Sequence, residues 1–457
     1  MVTLQFPQPR VCKQSGEGTW RLAPGARVVL PESEKLDRVL ARLGEEYPVL
    51  AAAEKIRGSE TRPGDLVIRL GEGEHDEGYI LQAGAVLELS ARTERGALYG
   101  LRAVLEAEDG LTYGEYADQP DVRERGFHLD MARKFFTKEW IMDRVRDMSR
   151  NRMNTLWLHF SENEGFRIDC ESHPEVPSRF HHSKEDVREI IRLCEDLCID
   201  VNPALDCPGH LGQALREYPE WQLPRGEGLP LHSALDITNP GAKQFLLDLI
   251  DEYAELFVDS KVFHIGGDEF IDFRHFDQYP VMERYAKEHL GPDCGGVDTY
   301  IDFLNQVIAH VRAKGFKVRV WNDGLYRTDL EQHVELDRDV EIAYWTNWDK
   351  GMAPLSAFLD RGYQVANYDW LNLYYILLIR PDYVDPDPEK LLGEWTPEHF
   401  PDSPVCGPQT CPAEKEDQVL GCCYSIWCDW PNLQSQEEVH QRSKDSIRAF
   451  GIRCWRS

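Results

Sequence analysis

Residues 240–269, PGAKQFLLDLIDEYAELFVDSKVFHIGGDE, contain one full helix-and-strand unit, and their reading decides the fold. Asn239-Pro240 is a strong helix start, an Asn cap followed by a Pro at the first helical position, where the missing N–H is not needed. A helix is therefore predicted over 240–257. The run Val262–Gly266 is short and almost wholly apolar, as expected of a strand covered on both faces. It ends in two glycines and two adjacent carboxylates, Asp268 and Glu269.

The same alternation extends in both directions from this unit. Strand-like runs fall at 126–131, 155–160, 200–205, 262–266, 317–321, 341–345, 364–367 and 420–427. Helical stretches at 138–150, 184–197, 300–314, 355–361 and 436–450 separate most of them. Eight such strands over about 330 residues predict a (β/α)8 barrel spanning residues 120–457. A doubly wound open sheet is the competing α/β architecture, but no Gly-rich phosphate loop follows the first strand.

Before residue 115 the pattern differs. Short apolar segments at 27–30, 65–70, 78–82 and 86–89, separated mostly by turn residues, read as strands. Residues 94–107 place Leu98, Leu101, Val104 and Leu105 at helical spacing. A small α+β domain is expected over 1–115, with a boundary in the acidic, Pro-containing segment 116–122.

Composition narrows the partners. The chain of 457 residues carries 80 acidic and 51 basic side chains, a net charge of −29, which disfavours nucleic acid and anionic membranes. No run of eighteen apolar residues is present, so no membrane span is expected. The first ten residues lack a basic start followed by an apolar stretch, so a cytoplasmic location and reduced thiols are expected for the twelve cysteines. Cys194 and Cys198 lie at i, i+4, and Cys422-Cys423 sit within an apolar strand. Neither pair has the spacing of a structural zinc site, and no metal is expected.

A parallel barrel places its chemistry at the C-terminal ends of the strands. Those ends carry Asp130, then His159 to Asn163, then Asp206 with Pro208-Gly209-His210, then His264 to Glu269. The remaining four carry Trp321-Asn322-Asp323, Trp345 to Asp349, Asn367-Tyr368-Asp369 and Trp427-Cys428-Asp429. A ring of aromatics and carboxylates suits sugar, with ring faces stacked on aromatic faces and hydroxyls held by bidentate polar groups. Adjacent strand residues point to opposite faces, so only an irregular strand end can turn both Asp268 and Glu269 inward. Gly266 and Gly267 supply that freedom. Two carboxylates so close cannot both ionise freely, so one pKa should rise, as a general acid requires.

Bland readings compete with each of these. A solvated acidic turn is the alternative for Asp268-Glu269, a core histidine for His264, and an ordinary loop residue for His210. Arg125 stands beside Arg123, so one of the two is a surface charge. Trp140 and Trp157 read as core, while Trp348, Trp430 and Tyr368 either line an outer pocket or pack.

The motif His264-x-Gly-Gly-Asp268-Glu269 resembles that of family 20 glycoside hydrolases, the β-N-acetylhexosaminidases. So do Arg125-Gly126 with Leu129-Asp130-x-Ala132-Arg133, Pro208-Gly209-His210, Trp427-x-Asp429 and, in the N-terminal module, 97–101 (ALYGL). The resemblance implies substrate-assisted, retaining hydrolysis of terminal β-linked GlcNAc or GalNAc without a cofactor. Glu269 is implied as acid/base and Asp268 as the partner that orients the 2-acetamido nucleophile. It further implies that Arg125 and Asp429 bind sugar hydroxyls and that Trp321, Trp345 and Trp427 wall the pocket. The acetamido oxygen is met by Tyr374, or by Tyr375, which fits nearly as well. His210 is linked to Glu269 and oriented by Glu162, with His264 behind the site. Two departures touch this wiring: Ala204 stands where many members carry Glu, and Glu162-Asn163 replaces an Asp pair.

Two other functions fit parts of the sequence. A metal-dependent hydrolase built on His159, His210, His264 and Asp268 fails for want of two ligands on one element. A non-catalytic glycan-binding protein on the same fold is disfavoured because both carboxylates are present. GlcNAc and GalNAc both fit, and the oligomeric state is open.

Overall fold

Eight short strands, most of them buried along their whole length, can satisfy both faces only by closing on themselves beneath a layer of helices. The computed structural model, which describes residues 4, 6–58, 60–381 and 383–456, shows this closure. The barrel strands are Glu124–Asp130, Thr155–His159, Asp200–Cys207, Val262–Gly266, Lys317–Trp321, Glu341–Tyr344, Gln364–Asn367 and Val419–Trp427. Each pairs in parallel with the next, and the eighth pairs with both the seventh and the first. A short extra strand, Tyr374–Ile376, runs parallel to the end of the eighth, with Tyr374 opposite Ser425 and Ile376 opposite Trp427.

The helix expected over 240–257 runs Pro240–Leu256, and Asn239 caps it by accepting the N–H groups of Gly241 and Ala242. Ser183 and Ser435 close capping boxes on the helices Lys184–Asp196 and Gln436–Trp455. Each such cap stabilises its helix by roughly 1 kcal/mol. Together these helices and strands bury one continuous apolar core.

The N-terminal domain is a seven-stranded mixed sheet with two main helices, Glu34–Glu46 and Glu94–Leu105. Its last strand, Leu111–Asp118, runs past residue 115 into the segment 116–122, and the first barrel strand starts at Glu124, so the domains meet between Asp118 and Glu124. Trp455, at the end of the final helix, inserts into this domain's core against Tyr99 and donates its indole N–H to Asp118 at 2.9 Å.

Arg125 belongs to this junction, which corrects the expectation that it binds sugar. It sits near the start of the first strand, at the end of the barrel away from the catalytic carboxylates, and is wholly buried. Its guanidinium pairs with Glu77 and Tyr99 of the N-terminal domain and donates to the carbonyls of Val122 and Arg152. Burial alone would lower its pKa, but the Glu77 carboxylate outweighs this and keeps it charged.

Candidate active site

The pocket at the C-terminal end of the barrel has a volume of about 560 Å³. Its floor and walls include Asp268, Glu269, Arg133, Glu162, His210 and Asp429, with Trp321, Trp345, Trp427 and Tyr374. Trp345 and Tyr374 lie nearly parallel, at 8° with centroids 6.2 Å apart, and Trp321 stands at 68° to Trp345. These faces make a box whose inner surface suits an apolar group such as an acetamido methyl.

Backbone geometry sets the carboxylate pair. Gly266 and Gly267 take φ of +75° and +100°, and Glu269 itself sits at +43°, a conformation uncommon outside glycine. A side chain at Gly266 would strike Asp206, its Cβ only 2.5 Å from Oδ1. The turn sends Asp268 downward, with 13% of its side chain exposed, and leaves Glu269 at the mouth with 52% exposed.

His210 ties the pair to the wall. Its Nδ1 donates to Glu162 at 3.0 Å, and its Nε2 lies 3.5 Å from Asp268 and 3.6 Å from Glu269. Burial opposes a charged ring here, but Glu162 and Asp268 prevail and hold its pKa well above the usual histidine value. Glu162 also receives Arg133 at 2.7 Å. Desolvation would raise the Glu162 carboxyl, yet Arg133 and His210 hold it well below the ordinary range. One ligand atom each from His159, Glu162 and Asp206 lie within 4.8 Å of one another, a spacing that could hold a cation. The cations of the chain, Arg133 and His210, already occupy both Glu162 oxygens.

Proton distribution in the free site departs from expectation. Desolvation, then the nearby Asp206, push Asp268 well above its usual range. Contact with His210 lowers Glu269, more than burial raises it. The raised pKa therefore belongs to the buried member, while His210 favours the ionised form of Glu269.

Arg133 occupies the place in the pocket expected of Arg125. Asp130, at the end of the first strand, accepts the backbone N–H groups of Ala132 and Arg133 and the Arg133 guanidinium at 3.0 Å. The same carboxylate takes the N–H of Cys428 at 2.9 Å, joining the first strand end to the eighth. The Arg133 guanidinium stands 5.6 Å above the Trp427 ring, pointed into the cavity.

The structure also separates Tyr374 from Tyr375. Tyr374 lines the pocket, whereas Tyr375 points the other way and donates its hydroxyl to Gln434 at 2.8 Å. His264 lies inside the barrel beneath the site, its Nδ1 accepting from Gly266 N and its ring 4.5 Å from Trp321. Of the undecided aromatics, Trp348 lines the outer pocket, Trp430 is exposed, and Tyr368 is buried near Arg319.

Sequence reading assigned no role to Asp323. Its Oδ2 accepts the backbone N–H of Glu269 at 3.0 Å and its Oδ1 the indole N–H of Trp345 at 3.1 Å. One carboxylate thus fixes both the left-handed backbone at Glu269 and a wall of the box. Desolvation dominates its environment and lifts its pKa to about 6. Ile376 and Leu378 were also missed. They follow Tyr374 at intervals of two, the spacing that places strand residues on one face.

Comparison with known proteins agrees with this construction. Residues 124–451 match the catalytic-domain model of glycosyl hydrolase family 20. Lacto-N-biosidase of Bifidobacterium bifidum is 28% identical over 454 residues, 96% of this chain and 39% of that one. A β-hexosaminidase of Porphyromonas gingivalis is 24% identical, over 83% of this chain and 51% of the relative. The chain thus spans only about two fifths to half the length of these relatives. Among solved structures, a Bacteroides fragilis β-N-acetylhexosaminidase superposes with a TM-score of 0.80 at 22% identity, covering 100% of this chain and 92% of that one. An exo-β-N-acetylglucosaminidase from Vibrio harveyi, solved with N-acetylglucosamine, gives 0.77 at 16% identity, over 99% and 74%. With its family model matched across the whole barrel, the chain belongs to glycosyl hydrolase family 20.

Proposed function

We propose that this protein is a retaining exo-β-N-acetylhexosaminidase whose nucleophile is the substrate's own 2-acetamido group. The observation that carries this reading is the division of the carboxylate pair. Asp268 is sunk in the aromatic box, and Glu269 stands at the mouth, with His210 against both. Retaining hydrolysis by two protein carboxylates calls for an acid and a nucleophile about 5 Å apart across the bond. Adjacent residues sharing one imidazole instead suit an acid and a positioning base.

A terminal N-acetylhexosamine enters with its acetamido group in the box of Trp321, Trp345, Tyr374 and Trp427. Its N–H donates to Asp268, which favours the ionised carboxylate, and the sugar covers Glu269, which favours the protonated acid. Binding therefore weakens the hold of Asp268 on a proton and strengthens that of Glu269, which readies Glu269 as the acid. The acetamido oxygen attacks the anomeric carbon as the glycosidic C–O bond breaks, and Glu269 gives its proton to the departing oxygen. Asp268 stabilises the positive charge of the oxazolinium ring. Glu269, now a base, takes a proton from water as that water opens the ring, restoring the original anomeric configuration. Arg133 and Asp429 bind the outer hydroxyls.

Hydrolysis of p-nitrophenyl β-N-acetylglucosaminide tests this reading. Turnover should fall by about three orders of magnitude or more in Glu269→Gln, on the scale of lost proton transfer and charge stabilisation. Near-normal turnover in that variant would sink it. A second reading, release of a disaccharide, is favoured by the alignment with lacto-N-biosidase over 96% of this chain. A panel of mono- and disaccharide aryl glycosides of GlcNAc and GalNAc decides between them and identifies the hexosamine. The twelve unpaired cysteines, ten of them buried, support a reducing compartment, and we place the protein in the cytoplasm. Cell fractionation that recovers it outside the cytoplasm would overturn this.

A further inference from the structure

Asp349 stands beside Trp348 on the loop after the sixth strand, but it does not line the pocket. Its Oδ1 accepts the N–H of Gly351 at 2.8 Å and, at 2.9 Å, the guanidinium of Arg327 on the loop after the fifth strand. Its Oδ2 lies 3.8 Å from Arg274, on the loop that follows Glu269. Arg327 has only 3% of its side chain exposed and is also held by Asp329 at 2.8 and 3.0 Å. A Cβ at Gly351 would overlap the Arg327 guanidinium and the Asp329 carboxylate, so only a glycine lets the cation lie against this backbone. Thr328 adds two bonds to the same turn, its N–H to the carbonyl of Gly351 at 2.8 Å and its hydroxyl to that of Lys350 at 3.0 Å.

Arg327 and Asp349 thus join three strand-end loops, one carrying Glu269 and another the aromatic wall. Residues 267–275 form neither helix nor strand, so side chains hold the loop of Glu269. The Tyr300 hydroxyl donates to the carbonyl of Gly267, and Phe270 stacks on the Tyr300 ring with centroids 5.7 Å apart. Phe273 packs on the same ring at 5.3 Å, with the Arg327 guanidinium 5.8 Å from its own. Across the mouth, Trp348 stands edge-on to Trp345 at 4.6 Å. Taking a guanidinium out of water is costly, and a buried ion pair adds little net stability. What this one adds is a fixed spacing between the acid's loop and the wall. We infer that Arg327 is a positioning residue for proton transfer, setting Glu269 through Phe273, and the wall through Asp349, against the glycosidic oxygen. It touches no substrate, and the inference rests on the role of acid proposed above for Glu269.

The test compares kcat/KM for methyl and dinitrophenyl β-N-acetylglucosaminides, which share the sugar and differ in how much the leaving oxygen needs a proton. Methoxide departs only when protonated, whereas dinitrophenolate departs almost unaided. A defect in sugar binding or in the folded fraction falls on both substrates alike. Arg327→Met should lower kcat/KM at least about tenfold more for the methyl than for the dinitrophenyl compound, a share of what general acid catalysis supplies. Asp349→Asn keeps the shape and weakens the ion pair, so it should move the ratio the same way by about threefold. It carries the test alone if Arg327→Met does not fold. Equal losses on the two substrates, or no loss on either, would overturn the inference and leave the activity standing. Glu269→Gln is the reference: an equal loss on both substrates there would remove Glu269 as the acid, and the inference with it.

Discussion

Arg125 and Arg133 stand eight positions apart, at the two ends of one barrel strand, and face opposite tasks. Arg125 is sealed at the domain junction, with Glu77, Tyr99 and backbone carbonyls taking its donors. Arg133 is held by Asp130 and Glu162 but keeps one side against the cavity and the Trp427 face. Both are charged and ion-paired, Arg125 wholly buried and Arg133 with 11% of its side chain exposed, so ion pairing does not separate a structural arginine from a substrate-facing one. The end of the strand does. In a parallel barrel the start of a strand serves stability and its end serves chemistry.

That contrast can be broken by substitution. Arg125→Met leaves the Glu77 carboxylate only Arg95 and Asn154 as partners, takes the donor from the Val122 and Arg152 carbonyls, and should cost about 3 kcal/mol of stability, read by denaturant unfolding. Its kcat/KM at a temperature where it is folded should match the unaltered enzyme. Arg133→Met should do the reverse in activity, lowering kcat/KM by roughly a hundredfold or more, the loss expected when a charged hydrogen bond to substrate is removed. If the two variants exchanged these effects, the assignment of the two strand ends would be wrong.

Asp323 sharpens the same comparison, because it acts from a strand end without lining the pocket. Asp323→Ala frees the Glu269 backbone and the Trp345 indole together. It should lower kcat by about ten- to a hundredfold with a smaller change in KM, the signature of lost positioning. Equal losses in kcat and stability-corrected folding, with an unaltered pH profile, would reduce Asp323 to a structural residue.

The smallest effect concerns His210 and pH. Its folded pKa lies well above 6.5, so the native state binds the proton more tightly than the unfolded chain. The resulting stabilisation is fully present below 6.5 and is lost as pH rises toward and through the folded value, at up to about 1.4 kcal/mol per pH unit. The Tm gap between the unaltered protein and His210→Gln should therefore narrow as pH climbs from 6 to 9. A gap that widens over that range contradicts the charged imidazole.

How much of this was legible follows the same physics. The eight barrel strands were readable because parallel strands covered on both faces are apolar runs, and helix caps such as Asn239 punctuate them. The edge strand Val11–Trp20 was not, since most of its residues are exposed and its composition is that of a loop. The helix Glu34–Glu46 went unread although Leu36, Val39, Leu40 and Leu43 carry its period. The pair Asp268-Glu269 was legible from its glycines. Which of Arg125 and Arg133 meets substrate was legible too, since a strand over 126–131 leaves Arg125 at its start and Arg133 past its end; the sugar-binding role given to Arg125 came from the family resemblance instead. Tyr374 and Tyr375 were not separable: alternation says that they face opposite ways, and only the register against Ser425 and Ile426 says which faces in. Asp323 was visible as a residue, but its two acceptor bonds arise from a contact between the fourth, fifth and sixth strand ends that no local pattern encodes.

The central claim is that the pair of carboxylates has no protein nucleophile in it. The most direct test compares p-nitrophenyl β-N-acetylglucosaminide with p-nitrophenyl β-glucoside, which differ at the reacting centre only by the acetamido group. The acetamido substrate should be hydrolysed at least about a thousandfold faster in kcat, the scale of a lost, well-oriented intramolecular nucleophile. Comparable kcat on the plain glucoside would contradict it and assign the attack to the protein.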